Sequence, residues 1–200
     1  MNKYNCAIIG DGGQADEVQS YFMRKCIRAV DQEYVNINTI SIENLNLNYP
    51  DLKTIVAVGS PLVRRKLVSK CSDRRFTSII ADTSQIDSTS EVGIGTIVGK
   101  NTIITTNVTV GNHTLINIGC TVSHNTQIGS FVTISPGVHT AGNVTIDDGV
   151  FIGIGAIVSN NVSIAKGVVI GAGAVVVNNI EEENTVYVGV PAKKIAKNDD

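Results

Sequence analysis

Residues 109–129 read TVGNHTLINIGCTVSHNTQIG. Val110, Ile116, Val122 and Ile128 recur in it every six residues. The phase continues both ways: Ile86, Val92, Val98 and Ile104 precede, and Ile134, Thr140, Ile146, Ile152, Val158, Ile164, Ile170 and Val176 follow. Only Thr140 among these is not Ile or Val. The residue two places before each is small or β-branched, from Ser84 and Ser90 to Val168 and Ala174. No helix has a period of six, and hairpins would break the phase at every turn. A phase held this long predicts a solenoid of short parallel strands. Side chains alternate along a strand, so the aliphatic residue and the one two places before it both point inward. Gly93, Gly99, Gly111, Gly129, Gly153 and Gly171 each follow an aliphatic position, and are expected to take the unusual backbone of the corner. Three hexapeptides close an 18-residue triangular coil, and coils stack at roughly 4.8 Å.

The composition agrees with a thin aliphatic prism. Of 200 residues, 42% are hydrophobic but only 4% aromatic, and Trp is absent. Net charge is −2 with no basic run, so neither nucleic acid nor an anionic membrane is an expected partner. No stretch has transmembrane length, membrane insertion is not expected, and the N-terminus lacks a signal-peptide layout. Cys6, Cys26, Cys71 and Cys120 have neither paired nor metal-ligand spacing and read as reduced core thiols of a cytoplasmic protein. His113, His124 and His139 occupy different offsets of the coil, which predicts no metal site. His113 is expected to be solvated at a corner, and His139 to line a groove. The N-x-S/T sequences at Asn107, Asn112, Asn143 and Asn161 are a by-product of the repeat.

Residues 1–82 lie outside the repeat. YNCAIIG (4–10) reads as a buried strand, DGGQADEV as a glycine loop entering a helix to about Lys25 with Val18, Tyr21, Phe22 and Met23 apolar. IRAV (27–30) and TIVAV (54–58) read as further strands, residues 62–71 as a helix with Pro61 in its first turn, and FTSIIA (76–81) as a last strand. Alternating strands and helices predict a small parallel sheet, a Rossmann-like α/β domain over 1–82 before the solenoid over 83–200. Gly10, Asp11, Gly12, Gly13 and Gln14 follow a strand, and with Ala15 they fit the Ala-ended dinucleotide fingerprint. A tight turn would explain the same glycines. Asp31 closes the second strand, where a carboxylate can bond ribose or base edges. Gly59 and Ser60, after the third, are candidates for the same ligand.

These features resemble the hexapeptide acyltransferases, whose solenoid is a left-handed parallel β-helix that trimerises with sites between neighbouring prisms. The VGVPAK segment (188–193) resembles the end of many sugar acetyltransferases, where it lies beside the coenzyme A tail. With the N-terminal domain, the segment 118–129, Ser135-Pro136-Gly137 and Ala141-Gly142-Asn143-Val144 resemble one family in particular. It is the nucleotide-sugar acetyltransferases, including the bacillosamine-pathway and perosamine N-acetyltransferases, with sialic-acid O-acetyltransferases as relatives. The resemblance implies transfer of acetyl from acetyl-CoA to an amine, at C4, of a nucleotide-linked amino-deoxysugar for surface glycan biosynthesis, without a metal, by a homotrimer. It implies His124 as general base. Relatives often carry a carboxylate after this His; here Asn125 stands there, able to accept the imidazole N–H through its amide oxygen, and it favours an amine over a hydroxyl acceptor. For acetyl-CoA the resemblance points to Thr133 (where relatives carry a second His), Gly142, Ile154, Gly155, Ala172, Gly173 and Lys193. O-acetylation of a sialic-acid-like sugar and a non-catalytic, nucleotide-sugar-binding solenoid are the alternatives.

Overall fold

The computed structural model describes residues 4–22, 25–71 and 73–198. In the first part, β1 (Ala7–Ile9), β2 (Ile27–Val30), β3 (Ile40–Ser41) and β4 (Thr54–Val56) form one parallel sheet in the order β3-β2-β1-β4. Three helices accompany it: α1 (Gly13–Gln19), α2 (Ile42–Asn48) and α3 (Pro61–Lys70). Ser41 and Ser60 cap α2 and α3, each side-chain oxygen accepting from a first-turn N–H. The strands at 27–30 and 54–56 and the helix after Pro61 match the expected pattern. α1 ends at Gln19, well short of Lys25; Met23 lies outside the described residues. β3 and α2 fill residues 40–48, where periodicity gave no signal: their apolar positions are only Ile40, Ile42, Leu45 and Leu47.

The rest is a left-handed parallel β-helix. Its two-residue strands run from β5 (Ile79–Ile80) to β21 (Val175–Val176) and form three flat faces. Up to the strand at Ile157–Val158, each pairs in register with the one 18 residues on, as Ile97 with Leu115 and Leu115 with Thr133. The strand read over 76–81 divides: Phe76 bridges to Thr54 in the first sheet, whereas Ile79–Ile80 already pair with Ile97–Val98. The aliphatic ladder forms the prism core, with Val110, Ile116, Val122, Ile128, Ile134, Ile146, Ile152, Val158, Ile164 and Ile170 at most 3% exposed.

The corners turn on a residue in the left-handed region, three places after the aliphatic one and not directly after it. One corner uses Gly119, Gly137, Gly155 and Gly173 (φ 65 to 67°), and another Asn107, Asn125, Asn143 and Asn161 (φ 56 to 60°). The third uses Gly95, His113, Phe131, Gly149 and Gly167. The glycines directly after the aliphatic residue have another reason. A Cβ on Gly99, Gly111 or Gly153 would lie 2.5–2.7 Å from atoms of the following coil.

The α/β domain sits on the face formed by Ile97, Leu115, Thr133, Phe151 and Val169. Ile97 and Leu115 point outward from the prism yet are 1% exposed, packed with Cys6, Ile8, Ala15, Val18 and Ile55. Burying each contributes about 1.5–3 kcal/mol. Arg64 of α3 completes the joint. It is 1% exposed, and its guanidinium donates to the carbonyls of His113 (2.7 Å), Val58 (2.7 Å), Gly59 (3.2 Å) and Val132 (2.8 Å) and to Thr133 Oγ1 (3.0 Å). No carboxylate within ion-pair distance shares the site among the described residues, and burial pushes its pKa down to about 10. Five oxygen acceptors replace the missing counter-ion. Arg64 falls three and seven places before Leu67 and Cys71 on the buried side of α3, a helical spacing that could have revealed it.

All four cysteines are free and buried. Cys6 and Cys26, distant in sequence, bring their sulfurs within 3.3 Å.

Thr140 interrupts the aliphatic ladder between Val122 and Val158, and its Oγ1 is buried without a hydrogen-bond partner. Thr140→Val keeps the shape and removes the orphaned hydroxyl, so it should stabilise the protein by about 1–2 kcal/mol. Denaturant unfolding measures this; a loss of stability would mean that the hydroxyl is bonded.

Candidate functional site

His124 lies at the asparagine corner, the edge of the prism opposite the face that carries the α/β domain. It is exposed. Its ring lies over Gly142, one coil further on, where a Cβ would come 2.6 Å from Nε2. Gly142 is therefore the floor on which the imidazole rests. Asn125 Nδ2 lies 3.3 Å from Nδ1 of the ring, while Asn125 Oδ1 accepts from Asn107 Nδ2 at 3.3 Å. The amide thus turns its nitrogen to the imidazole, not the oxygen expected from the sequence. Nε2 has no partner among the described residues.

The other two histidines differ from each other. His113 is half-buried: it stacks on Phe131 at 5.2 Å and meets the edge of Phe76 at 4.7 Å. Burial, and secondarily the Arg64 cation, hold its pKa below the usual value. The solvated role expected for it gives way to packing at the domain joint, because Phe131 and Phe76 bracket its ring. His139 is exposed on the face between the asparagine and glycine corners, with Nδ1 2.8 Å from Thr121 Oγ1. Ile103 and Ile157, exposed by 40% and 45%, point out from the same face.

The carboxyl ends of β1, β2 and β4 share one edge, which brings the Gly10 loop, Asp31 and Gly59–Ser60 together. β2 and β3 extend the sheet to one side of β1 and β4 to the other, so the switch point falls between β1 and β4, where open α/β sheets bind ligands. The glycines there are of two kinds. Gly10 has φ 125°, and a Cβ would lie 2.9 Å from Ala57 O, so the fold demands it. Gly12, Gly13 and Gly59 have neither positive φ nor any atom within 4 Å of a Cβ. Nothing within the chain requires glycine there, whereas a ligand approaching the backbone would. Asp11 accepts from Asn36 Nδ2 at 2.7 Å, Asp31 pairs with Lys70 at 2.8 Å, and Gln14 accepts from Asn117 Nδ2 at 3.1 Å. Ser60 is committed to capping α3. A cavity of about 690 Å³ opens beside this edge, between Gly59–Leu62 with Arg65 and the solenoid residues Phe151, Lys166, Val169 and Asn184. Sequence reading missed Arg65 and Lys166, because only the stacking of domain on prism brings them together.

The residues proposed for the acetyl donor are dispersed. Thr133 is 3% exposed and bonded to Gly59 O at 2.6 Å and to Arg64, so it supports the joint and cannot meet an acetyl group. Ile154, Gly155, Ala172 and Gly173 form the exposed glycine corner, across the His139 face from His124 and Gly142. Their glycines are explained by left-handed backbone alone. Lys193 opens β23 (Lys193–Lys197), which pairs antiparallel with β22 (Thr185–Val188), and is exposed; Glu182 pairs with Lys194 instead. No cluster of metal-ligating side chains occurs among the described residues, nor any helix long and apolar enough to cross a membrane.

The fold, an α/β domain capping one face of a left-handed β-helix, is shared with solved nucleotide-sugar acetyltransferases. Over 96% of this chain and 97% of that one, the structure matches PerB of Caulobacter crescentus, a perosamine N-acetyltransferase solved with CoA and GDP-perosamine (TM-score 0.87, 25% identity). It matches the acetyltransferase domain of PglB from Neisseria gonorrhoeae FA1090 over 97% of this chain and 100% of that one (TM-score 0.87, 25% identity); that domain is also solved with acetyl coenzyme A. It matches WeeI from Acinetobacter baumannii AYE over 96% and 100% (TM-score 0.86, 25% identity). The chain matches no protein-family model and no curated protein by sequence.

Gly142→Ala should shift the His124 ring without unfolding the chain, since the obstructing atoms belong to a movable side chain. NMR of the imidazole should change while the unfolding midpoint holds. An unperturbed ring would mean that it does not rest on Gly142.

Proposed function

We propose that the protein transfers acetyl from acetyl-CoA to the amino group, at C4, of a nucleotide-linked amino-deoxysugar, in the cytoplasm, for surface glycan synthesis. The observation that carries this is whole-chain likeness, in both domains, to an N-acetyltransferase solved with CoA and a nucleotide amino-sugar. The nucleotide sugar would lie at the carboxyl edge of the sheet, against Gly12, Gly13 and Gly59, where side chains are absent without any need of the fold. Acetyl-CoA would run along the His139 face between its two corners, with Lys193 near its phosphates.

The amine nitrogen attacks the thioester carbonyl, a C–N bond forms, the C–S bond breaks and CoA leaves as the thiol. His124 takes the proton that the nitrogen sheds, through Nε2. Imidazole suits this because it exchanges protons near neutral pH. The thioester is already activated, so no acyl-enzyme is required. An amine needs less help than a hydroxyl, and the uncharged Asn125 beside His124 favours N- over O-acetylation. A binding-only solenoid would leave His124 and its glycine floor without purpose.

In one chain the sheet edge and His124 lie on opposite sides of the prism. A complete site therefore needs a second copy, and the exposed Ile103 and Ile157 beside His139 supply an apolar face for packing as a trimer.

The test is CoA-thiol release over a panel of nucleotide 4-amino-sugars. His124→Ala should lower kcat about 100-fold, the low end of general-base effects, with little change in acetyl-CoA KM. Turnover equal to the parent would remove His124 from proton transfer. Gly12→Val should raise the sugar KM and spare acetyl-CoA; the reverse would overturn the assignment of the two substrates. Co-expressed His124→Ala and Gly12→Val chains should recover activity that neither has alone at low sugar concentration. No recovery, or a monomer by light scattering, would defeat a site shared between copies.

A further inference from the structure

We infer that Asn107 is a positioning residue for His124: through Asn125 it decides which ring nitrogen carries the proton. This rests on the proposal that His124 works at the reaction centre, and it identifies what controls that histidine.

Backbone geometry accounts for asparagine at 107, 125, 143 and 161, since all four hold the left-handed conformation that asparagine tolerates. It does not account for what their amides do. The side chains stack at 18-residue spacing and bond in pairs: Asn107 Nδ2 donates to Asn125 Oδ1 (3.3 Å), and Asn143 Nδ2 to Asn161 Oδ1 (3.2 Å). Of these pairs, only the first bonds to an imidazole among the described residues. With Asn125 Oδ1 engaged by Asn107, its Nδ2 turns to His124 Nδ1 at 3.3 Å. An amide nitrogen can only donate, so Nδ1 must accept, and the neutral ring then keeps its proton on Nε2. Gly142 beneath the ring limits other orientations.

A ring with Nε2–H donates a hydrogen bond but cannot take a proton there. For Nε2 to present a lone pair, both amides must rotate. His124 Nδ1–H then donates to Asn125 Oδ1, and Asn125 Nδ2 donates to Asn107 Oδ1. A carboxylate beside the histidine would hold the base form permanently. Here the choice belongs to a residue one coil away that does not touch the ring.

Asn107→Asp distinguishes the two polarities. Aspartate cannot donate, so it accepts from Asn125 Nδ2 and turns Asn125 Oδ1 towards the ring, forcing the proton onto Nδ1. Asn107→Gly suits the left-handed corner and removes the anchor altogether. The measurement is nitrogen NMR of histidine-labelled full chain, at alkaline pH where imidazole is neutral. Nε2 should be protonated in the parent and Nδ1 in Asn107→Asp, with the two nitrogen shifts drawn together in Asn107→Gly. Asn107→Asp should also raise kcat several-fold with acetyl-CoA KM unchanged. The same tautomer in all three chains would overturn the proposal, and if Asn107→Asp fails to fold, an unchanged ring in Asn107→Gly does so equally. Inversion of the tautomer without acetyl transfer to any amino-sugar would uphold the relay and reject the function proposed above.

Discussion

The solenoid, on which the rest of the molecule is mounted, depends on parallel pairing at a separation of 18 residues. Its strands bond to those one coil away, as Leu115–Ile116 do to Thr133–Ile134. The register admits no slip, because a shift of one residue would turn the aliphatic ladder outward. It also dictates which side chains meet. His124 rests on Gly142 and Asn107 reaches Asn125 because in both cases the numbers differ by 18.

The second constraint is the joint between the domains. Ile97 and Leu115 give up solvent on a face that would otherwise be exposed, and Arg64 threads between the carbonyls of both parts. A buried cation without a carboxylate is tolerated only when its donors are satisfied, and five acceptors achieve that here. The joint aims the carboxyl edge of the sheet along the same face, towards Phe151, Lys166 and Val169, and leaves His124 on the far corner. Geometry thus separates the two halves of the proposed chemistry within one chain, which is why the proposal calls for a second copy.

Much of the fold was legible because the repeat is strict. The solenoid, its inward positions, the small parallel sheet and the helix after Pro61 all followed from periodicity and turn residues. The left-handed corner residue was misplaced, because glycine after an aliphatic residue is equally explained by a turn and by contact with the next coil. α2 escaped notice, having too few apolar residues to show a period. At the candidate site, the Gly10 loop was legible as a strand–turn–helix motif, and His124 was put forward by family likeness. Thr133 was assigned to the donor from family likeness, yet the joint buries it.

By itself, then, the sequence determined the coil and its core, since these are encoded locally and repeated; His124 it offered as a candidate through family likeness. Only the tertiary structure decided the direction of the Asn125 amide, the use of Arg64, the packing of His113 and the opposition of His124 to the sheet edge. Each of these depends on residues brought together across coils or across the domain joint, at distances along the chain where no local pattern constrains the pairing.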